Sequence, residues 1–253
     1  RSAPDAAALV ATARDMAAQG ARHIVLDLPA EDVSAVAEGV ADLDVTLYNA
    51  TAPEDRLRSA CYAHLLHTAP SLRMQMDTFV QYLRAMDWTK VLVLVGEDPH
   101  DAGLAEAFVG SAERLRLKIV ETRPFTLAAN PEAREGNNVK LLTGGTDYDV
   151  VFVADTRGEF GRYVPYATQL PRPVIGSVGL TSLAWHWAME RDGATQVSSR
   201  FDKMTDGRKM SGQDWSVWIA VKAILTVEMK RAGADGSAQR DFLKSSRLSL
   251  DGS

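Results

Sequence analysis

Glu97-Asp98-Pro99-His100-Asp101 packs three carboxylates and an imidazole into five residues. Side-chain oxygens of Asp and Glu are the usual donors for hard cations such as calcium, in flexible geometry. The run follows Lys90 to Val95 (Lys-Val-Leu-Val-Leu-Val), an unbroken apolar stretch that reads as a buried parallel strand. It therefore leaves the carboxyl end of that strand, where ligands bind in open α/β sheets. Asp155 and Glu159 follow a second apolar run, Asp149 to Ala154, at the corresponding edge of the same sheet. Asp98, Asp101, Asp155 and Glu159 are thus the expected set for a metal cation. The alternative is a solvated loop in which Asp98 or Asp101 caps the next helix, and a turn in which Asp155 does the same. The alternating Asp/Asn oxygens and terminal Glu of a calcium loop are absent from the sequence.

A second polar passage runs from Tyr48 to Pro70, after the short apolar run Val45 to Tyr48. It carries small hydroxyl and amide groups (Asn49, Thr51, Ser59) and charge (Glu54, Asp55, Arg56, Arg58). His64 and His67 stand three apart in a segment read as strand, on opposite faces, and make a poor metal pair. Trp185-His186-Trp187 has two readings: one ring lines the cleft and packs on an organic ligand, or the group serves as hinge and core packing. Trp215 and Trp218, three apart on a helix, read as core.

Nothing in the chain spells a catalytic apparatus. Gly-x-Ser-x-Gly, Gly-x-Gly-x-x-Gly and the phosphate-cradling Gly-x-x-x-x-Gly-Lys-Ser/Thr are all missing. Gly144-Gly145 precedes a strand and reads as a helix-ending turn. The adjacent carboxylates Glu54-Asp55 and Glu97-Asp98 are loop neighbours rather than an acid/base pair. Catalysis is therefore unsupported, and the chain is not read as an enzyme.

The elements that must position these groups alternate. Helices are expected at Ala6 to Gln19 (closed by Gly20), Glu31 to Glu38, Ser71 to Asp87, Gly103 to Leu115 and Glu132 to Leu142. Strands are expected at His23 to Leu28, Val45 to Tyr48, Lys90 to Val95, Lys118 to Thr122 and Asp149 to Ala154. That is the βαβ pattern of a doubly wound parallel sheet. Thr156 to Trp187, rich in Gly, Pro and aromatics, reads as loops and a crossing segment. Ala194 to Met204 and Gln213 to Lys230 are further helices. Two α/β blocks joined by irregular crossings suggest two lobes with a cleft between them.

Composition sets the outer limits. A net charge of -5 without a Lys/Arg cluster argues against a nucleic-acid partner. No apolar run reaches the ~20 residues of a membrane span, so the chain is not membrane-embedded. The single cysteine, Cys61, excludes an internal disulfide and reads as a small packed thiol.

The passage from Tyr48 to Pro70, Tyr148 to Asp155 with Glu159-Phe160-Gly161, Tyr163 to Tyr166, Arg172-Pro173-Val174, Ala184-Trp185-His186, Gly193 to Gln196 and Trp218 to Ile224 together carry a resemblance. The chain resembles the type I periplasmic solute-binding proteins, relatives of the leucine/isoleucine/valine-binding protein. The branch is the one associated with ABC transporters encoded beside pyrroloquinoline-quinone-dependent alcohol dehydrogenase systems. The resemblance implies a two-lobe periplasmic-binding-protein type I fold, each lobe a parallel sheet flanked by helices. Lobe one would hold residues 1–67 and 180–235, and lobe two 68–179 and 236–253. Relative to the family the chain looks truncated at both ends, its signal peptide not included.

The resemblance also implies a periplasmic location, an ABC transporter permease as partner and no resident cofactor. By its pattern the ligand meets Asn49, Ala50 and Thr51 from lobe one and Glu97, Asp98, His100, Asp101, Asp155, Thr156 and Glu159 from lobe two. A Tyr163 or Trp185 ring would complete the site. The cargo is expected to be a lanthanide ion or its chelate, with calcium following the same chemistry. The alternatives are a small organic solute, amino-acid-like or an organic acid, and a sensor or regulator domain on the same fold.

Overall fold

The computed structural model describes residues 5–127 and 136–248. The chain forms two compact units, Arg1–Ser71 with Leu183–Ser253 and Leu72–Ser182. Each is a parallel sheet flanked by helices.

In the first unit β1 (His23–Leu26), β2 (Thr46–Asn49) and β3 (Leu65–His67) pair in the order β1-β2-β3. The register sets Leu26 and His67 on either side of Asn49, so three loops leave the sheet together. Alternation along the strands decides which helix covers which face. Ile24, Leu26, Leu47 and Leu65 share a core with Ala13 of α1 (Ala6–Ala18) and with Val33, Val36 and Ala37 of α2 (Ala30–Gly39). Val25, Tyr48 and Leu66 point the other way, against Ala220, Ala223 and Ile224 of α9 (Gly212–Lys230). Covered on both faces, β2 is buried at every position.

The remaining helices of this unit are α3 (Arg56–Ser59), α8 (Ala194–Met204) and α10 (Gly236–Ser245). The tail, expected in lobe two, belongs with the first unit instead. Gly236 donates its N–H to Asp44 at 3.0 Å, Arg240 reaches Thr46 Oγ1 at 3.3 Å, and Gln239 donates to Glu228 of α9 at 3.1 Å. The contacts of Gly236 and Arg240 join residues nearly two hundred positions apart, which a reading of local periodicity does not see. Cys61, expected to pack, is exposed on a left-handed backbone with φ of 54°.

The second unit contains α4 (Leu72–Ala85), β4 (Lys90–Val95), α5 (Pro99–Arg114), β5 (Lys118–Pro124), α6 (Val139–Leu142), β6 (Val150–Ala154), α7 (Val164–Ala167) and β7 (Val174–Gly176). Its sheet runs β5-β4-β6-β7, all parallel, with Val95 opposite Ala154. Val91, Val93 and Phe152 pack on Phe79, Val80 and Leu83 of α4 and Phe108 of α5. Phe152 stacks on Phe108 at 3.9 Å and meets Phe79 edge-on. Leu92, Leu94, Val151 and Val153 face Phe125, Tyr148 and Phe160 on the other side.

Three differences from expectation bear on the loops after the strands. Helix α5 starts at Pro99 rather than Gly103, because Asp98 caps it and Pro99 fits the first helical position. The acidic run is therefore half loop and half first turn. Strand β7 lies inside the stretch read as loops. It is only three residues long, and Gly176, at φ 115°, passes so close to the Val153 backbone that a side chain would clash. Of the helix expected at Glu132 to Leu142, residues 132–135 lie outside the described residues, and the described part is the single turn of α6 capped by Asn138.

Candidate functional site at the carboxyl ends of the sheets

Asn49 ends the central strand of the first unit and organises everything after it. Its Oδ1 accepts the N–H groups of Thr51 at 3.2 Å and Ala52 at 2.9 Å. Its Nδ2 donates to the Ala52 carbonyl at 2.8 Å and to His67 Nδ1 at 3.1 Å. An amide at this position folds the chain back on itself as a side-chain turn. The Asn49 carbonyl accepts from Thr68 N at 3.0 Å, and Thr51 Oγ1 donates to the Leu28 carbonyl at 3.4 Å. Ala50 is fully buried. Asn49, Ala50 and Thr51, expected to grip a ligand, thus hold the loop in shape with the groups expected to do the gripping.

Two residues not expected in the site stand beside them. Arg58 donates through Nη2 to the Ala69 carbonyl at 2.5 Å, while its Nη1 is buried without a hydrogen-bond partner. Burial lowers the guanidinium's pKa and Asp55 partly restores it. His67 is pushed down to about 4, first by burial and then by the charge of Arg58, so the ring is neutral at physiological pH. Glu54 Oε2 is likewise buried without a donor. His64 points elsewhere, its Nε2 against the Ala37 carbonyl at 2.9 Å, in keeping with the opposite-face expectation. Arg58 was visible in the polar passage, but no spacing rule marks which of its charges loses its water.

In the second unit the loops after β4 and β6 are tied together. Asp101 Oδ1 accepts both the N–H and the hydroxyl of Thr156 at 2.6 Å. Asp155 accepts from Gly158 N at 2.9 Å, Phe160 N at 2.9 Å and Gly161 N at 2.6 Å. Asp98 accepts from His100 N at 3.0 Å and from Arg157 Nη2 at 2.9 Å, and these contacts hold its carboxyl below the ordinary range. A cavity of about 280 Å³ opens among Glu97, Asp98, Asp101, Phe125, Leu127 and Arg157.

This corrects the cation set. Asp98, Asp101 and Asp155 direct their oxygens at backbone amides, a hydroxyl and a guanidinium, and Glu159 is exposed. Among the described residues no group of three or more His, Cys, Asp or Glu is placed to hold a metal ion. His100 is exposed, and Tyr163 is 59% exposed beneath the Arg162 guanidinium. Trp185, expected to offer its ring, is only 5% exposed: it stacks on Trp215 at 4.2 Å, in a first-unit cluster with Val197 and Met210.

No protein-family model and no curated protein matches the sequence. Solved structures do match. A putative branched-chain amino acid ABC transporter protein from Rhodospirillum rubrum aligns with a TM-score of 0.74 at 14% identity, covering 94% of this chain and 73% of that one. A branched-chain amino acid ABC transporter periplasmic ligand-binding protein from Burkholderia xenovorans gives 0.72 at 12% identity, over 96% and 70%. A solute-binding protein from Rhodopseudomonas palustris, in complex with 3,4-dihydroxybenzoic acid, gives 0.66 at 13% identity, over 94% and 70%. The chain has the two-lobe periplasmic-binding-protein type I fold. Among the described residues no helix is long and apolar enough to cross a membrane.

Proposed function

We propose that the chain is the ligand-binding component of an ABC importer, working in the periplasm and passing a small organic acid to a membrane permease. The observation that carries this reading is the polar cluster at the carboxyl ends of β2 and β3. There a guanidinium nitrogen of Arg58 is buried with no acceptor, at the edge of the sheet where open α/β folds bind ligands. The fold supports the transport role, and the neighbour solved with 3,4-dihydroxybenzoic acid supports an acidic cargo. The role needs no catalysis and no resident cofactor.

A lanthanide or calcium cargo, and with it the link to pyrroloquinoline-quinone-dependent alcohol oxidation, has less support. The aspartates that would hold the ion already accept protein donors. The test is thermal unfolding and calorimetric titration with benzoate, 3,4-dihydroxybenzoate, isoleucine and lanthanum chloride. An organic acid at about 100 times its Kd should stabilise the fold by about 2.7 kcal/mol, a shift of a few degrees. Stabilisation by lanthanum alone would overturn the reading.

A further inference from the structure

The solute-binding reading leaves open which groups take the solute's charge. We infer that Arg58 and His67 form the receptor for an organic oxyanion, in place of the hydroxyl and amide groups of the loop after β2. The inference rests on the proposed function and names the residues and the ligand class.

The loop's own donors are engaged. Thr51 N and Ala52 N both point at Asn49 Oδ1, and Thr51 Oγ1 points at the Leu28 carbonyl. A carboxylate approaching these residues meets donors already turned inward. Arg58 is in the opposite condition. One nitrogen is fixed on the Ala69 carbonyl, which orients the guanidinium, and the other is buried with no acceptor. A buried donor without a partner is costly, and the cost is relieved when an acceptor arrives. Arginine paired with a carboxylate makes short, charge-assisted bonds in a fixed fork.

His67 supplies the second donor. Its Nδ1 faces the Asn49 amide nitrogen at 3.1 Å, so Nδ1 accepts and the ring proton sits on Nε2. Burial and the Arg58 charge keep the ring neutral. The receptor thus has one permanent positive charge and one neutral N–H, which suits a singly charged planar carboxylate. Asp55 acts on the charge of Arg58 from the preceding turn. An aromatic or aliphatic carboxylic acid suits both donors.

The test is calorimetric titration of the full chain with benzoate, 3,4-dihydroxybenzoate and benzamide, the last a neutral carboxylate isostere, before and after R58Q, R58K and H67Q. The wild type should prefer benzoate to benzamide by at least about tenfold. R58Q should lower carboxylate affinity by roughly a hundredfold, with R58K recovering part of it, because the point charge returns without the fork. Nitrogen NMR of the wild type adds a readout independent of any variant's stability: His67 should show its proton on Nε2, and that signal should move on adding benzoate. A folded R58Q that keeps its carboxylate affinity, or a His67 signal untouched by bound benzoate, would overturn the assignment. Tight binding of a neutral or cationic organic solute, unaffected by R58Q, would overturn the assignment and leave the transport role standing. Failure of every organic probe to bind the wild type would overturn both.

Discussion

Asn49 is the residue on which the first unit's loop depends, since four hydrogen bonds from one amide shape residues 49–52 and fix the His67 ring. Asn49→Ala leaves two buried or half-buried N–H groups and a carbonyl without their partner. It should destabilise the protein by about 2–3 kcal/mol in chemical unfolding. An unchanged midpoint would show that water replaces the amide at little cost. His67 gives a pH signature of definite sign. Its native pKa of about 4 lies below the unfolded value of 6.5, so its contribution is fully present above pH 6.5. Between pH 6.5 and 4 the unfolded chain takes up a proton that the native ring refuses, and stability falls as pH falls. The ring is only partly buried, so solvent screening limits the loss to about 1 kcal/mol. H67Q should flatten that part of the stability curve, and a wild-type curve flat from pH 7 to 4.5 would contradict the assignment. The sequence showed Asn49 and Thr51 as polar groups of one loop, but not that the Thr51 N–H would be taken by Asn49 Oδ1. Side-chain to backbone pairing over two or three residues turns a donor that looks available into one that is engaged, and residue type alone cannot distinguish the two.

Among the elements, α9 is anchored at its start by a reciprocal cap. The Ser211 hydroxyl accepts from Asp214 N at 3.2 Å, Asp214 accepts from Ser211 N at 2.8 Å, and Arg208 holds the same carboxylate at 2.7 Å. Ser211→Ala should cost about 1 kcal/mol, measured as a lower denaturation midpoint with an unchanged slope. The cap matters beyond the helix, since α9 covers one face of β1 and β2 and its Gln213 reaches Asp27, just past β1, at 3.0 Å. The strands β4 and β6 and the helices α1, α2, α4, α8 and α9 were legible because each is long or strongly periodic. Helix α10 and strand β7 were not. The first is held by distant partners, and the second is three residues whose pairing depends on a glycine with no sequence signature of its own. In the acidic run the structure follows the helix-capping alternative: Asp98 before Pro99 starts α5, and its carboxylate meets His100 N and Arg157.

For the whole molecule, alternation of strand and helix was enough to give two parallel α/β units, and the fold agrees with solved solute-binding proteins at identities of 10–16%. At such distance the architecture persists because a buried parallel strand needs only apolar residues of suitable size, whereas the cargo is set by a few polar side chains in loops. This is why the fold could be read and the lanthanide expectation could not be sustained. The most direct measurement is calorimetric titration of the full chain with a panel of aliphatic and aromatic carboxylic acids beside their amides and lanthanum chloride. An organic acid binding with a Kd of about 1 μM or tighter, equivalent to roughly -8 kcal/mol, and clearly ahead of its amide, is the result this account predicts. Binding of lanthanum with no organic acid bound would contradict it.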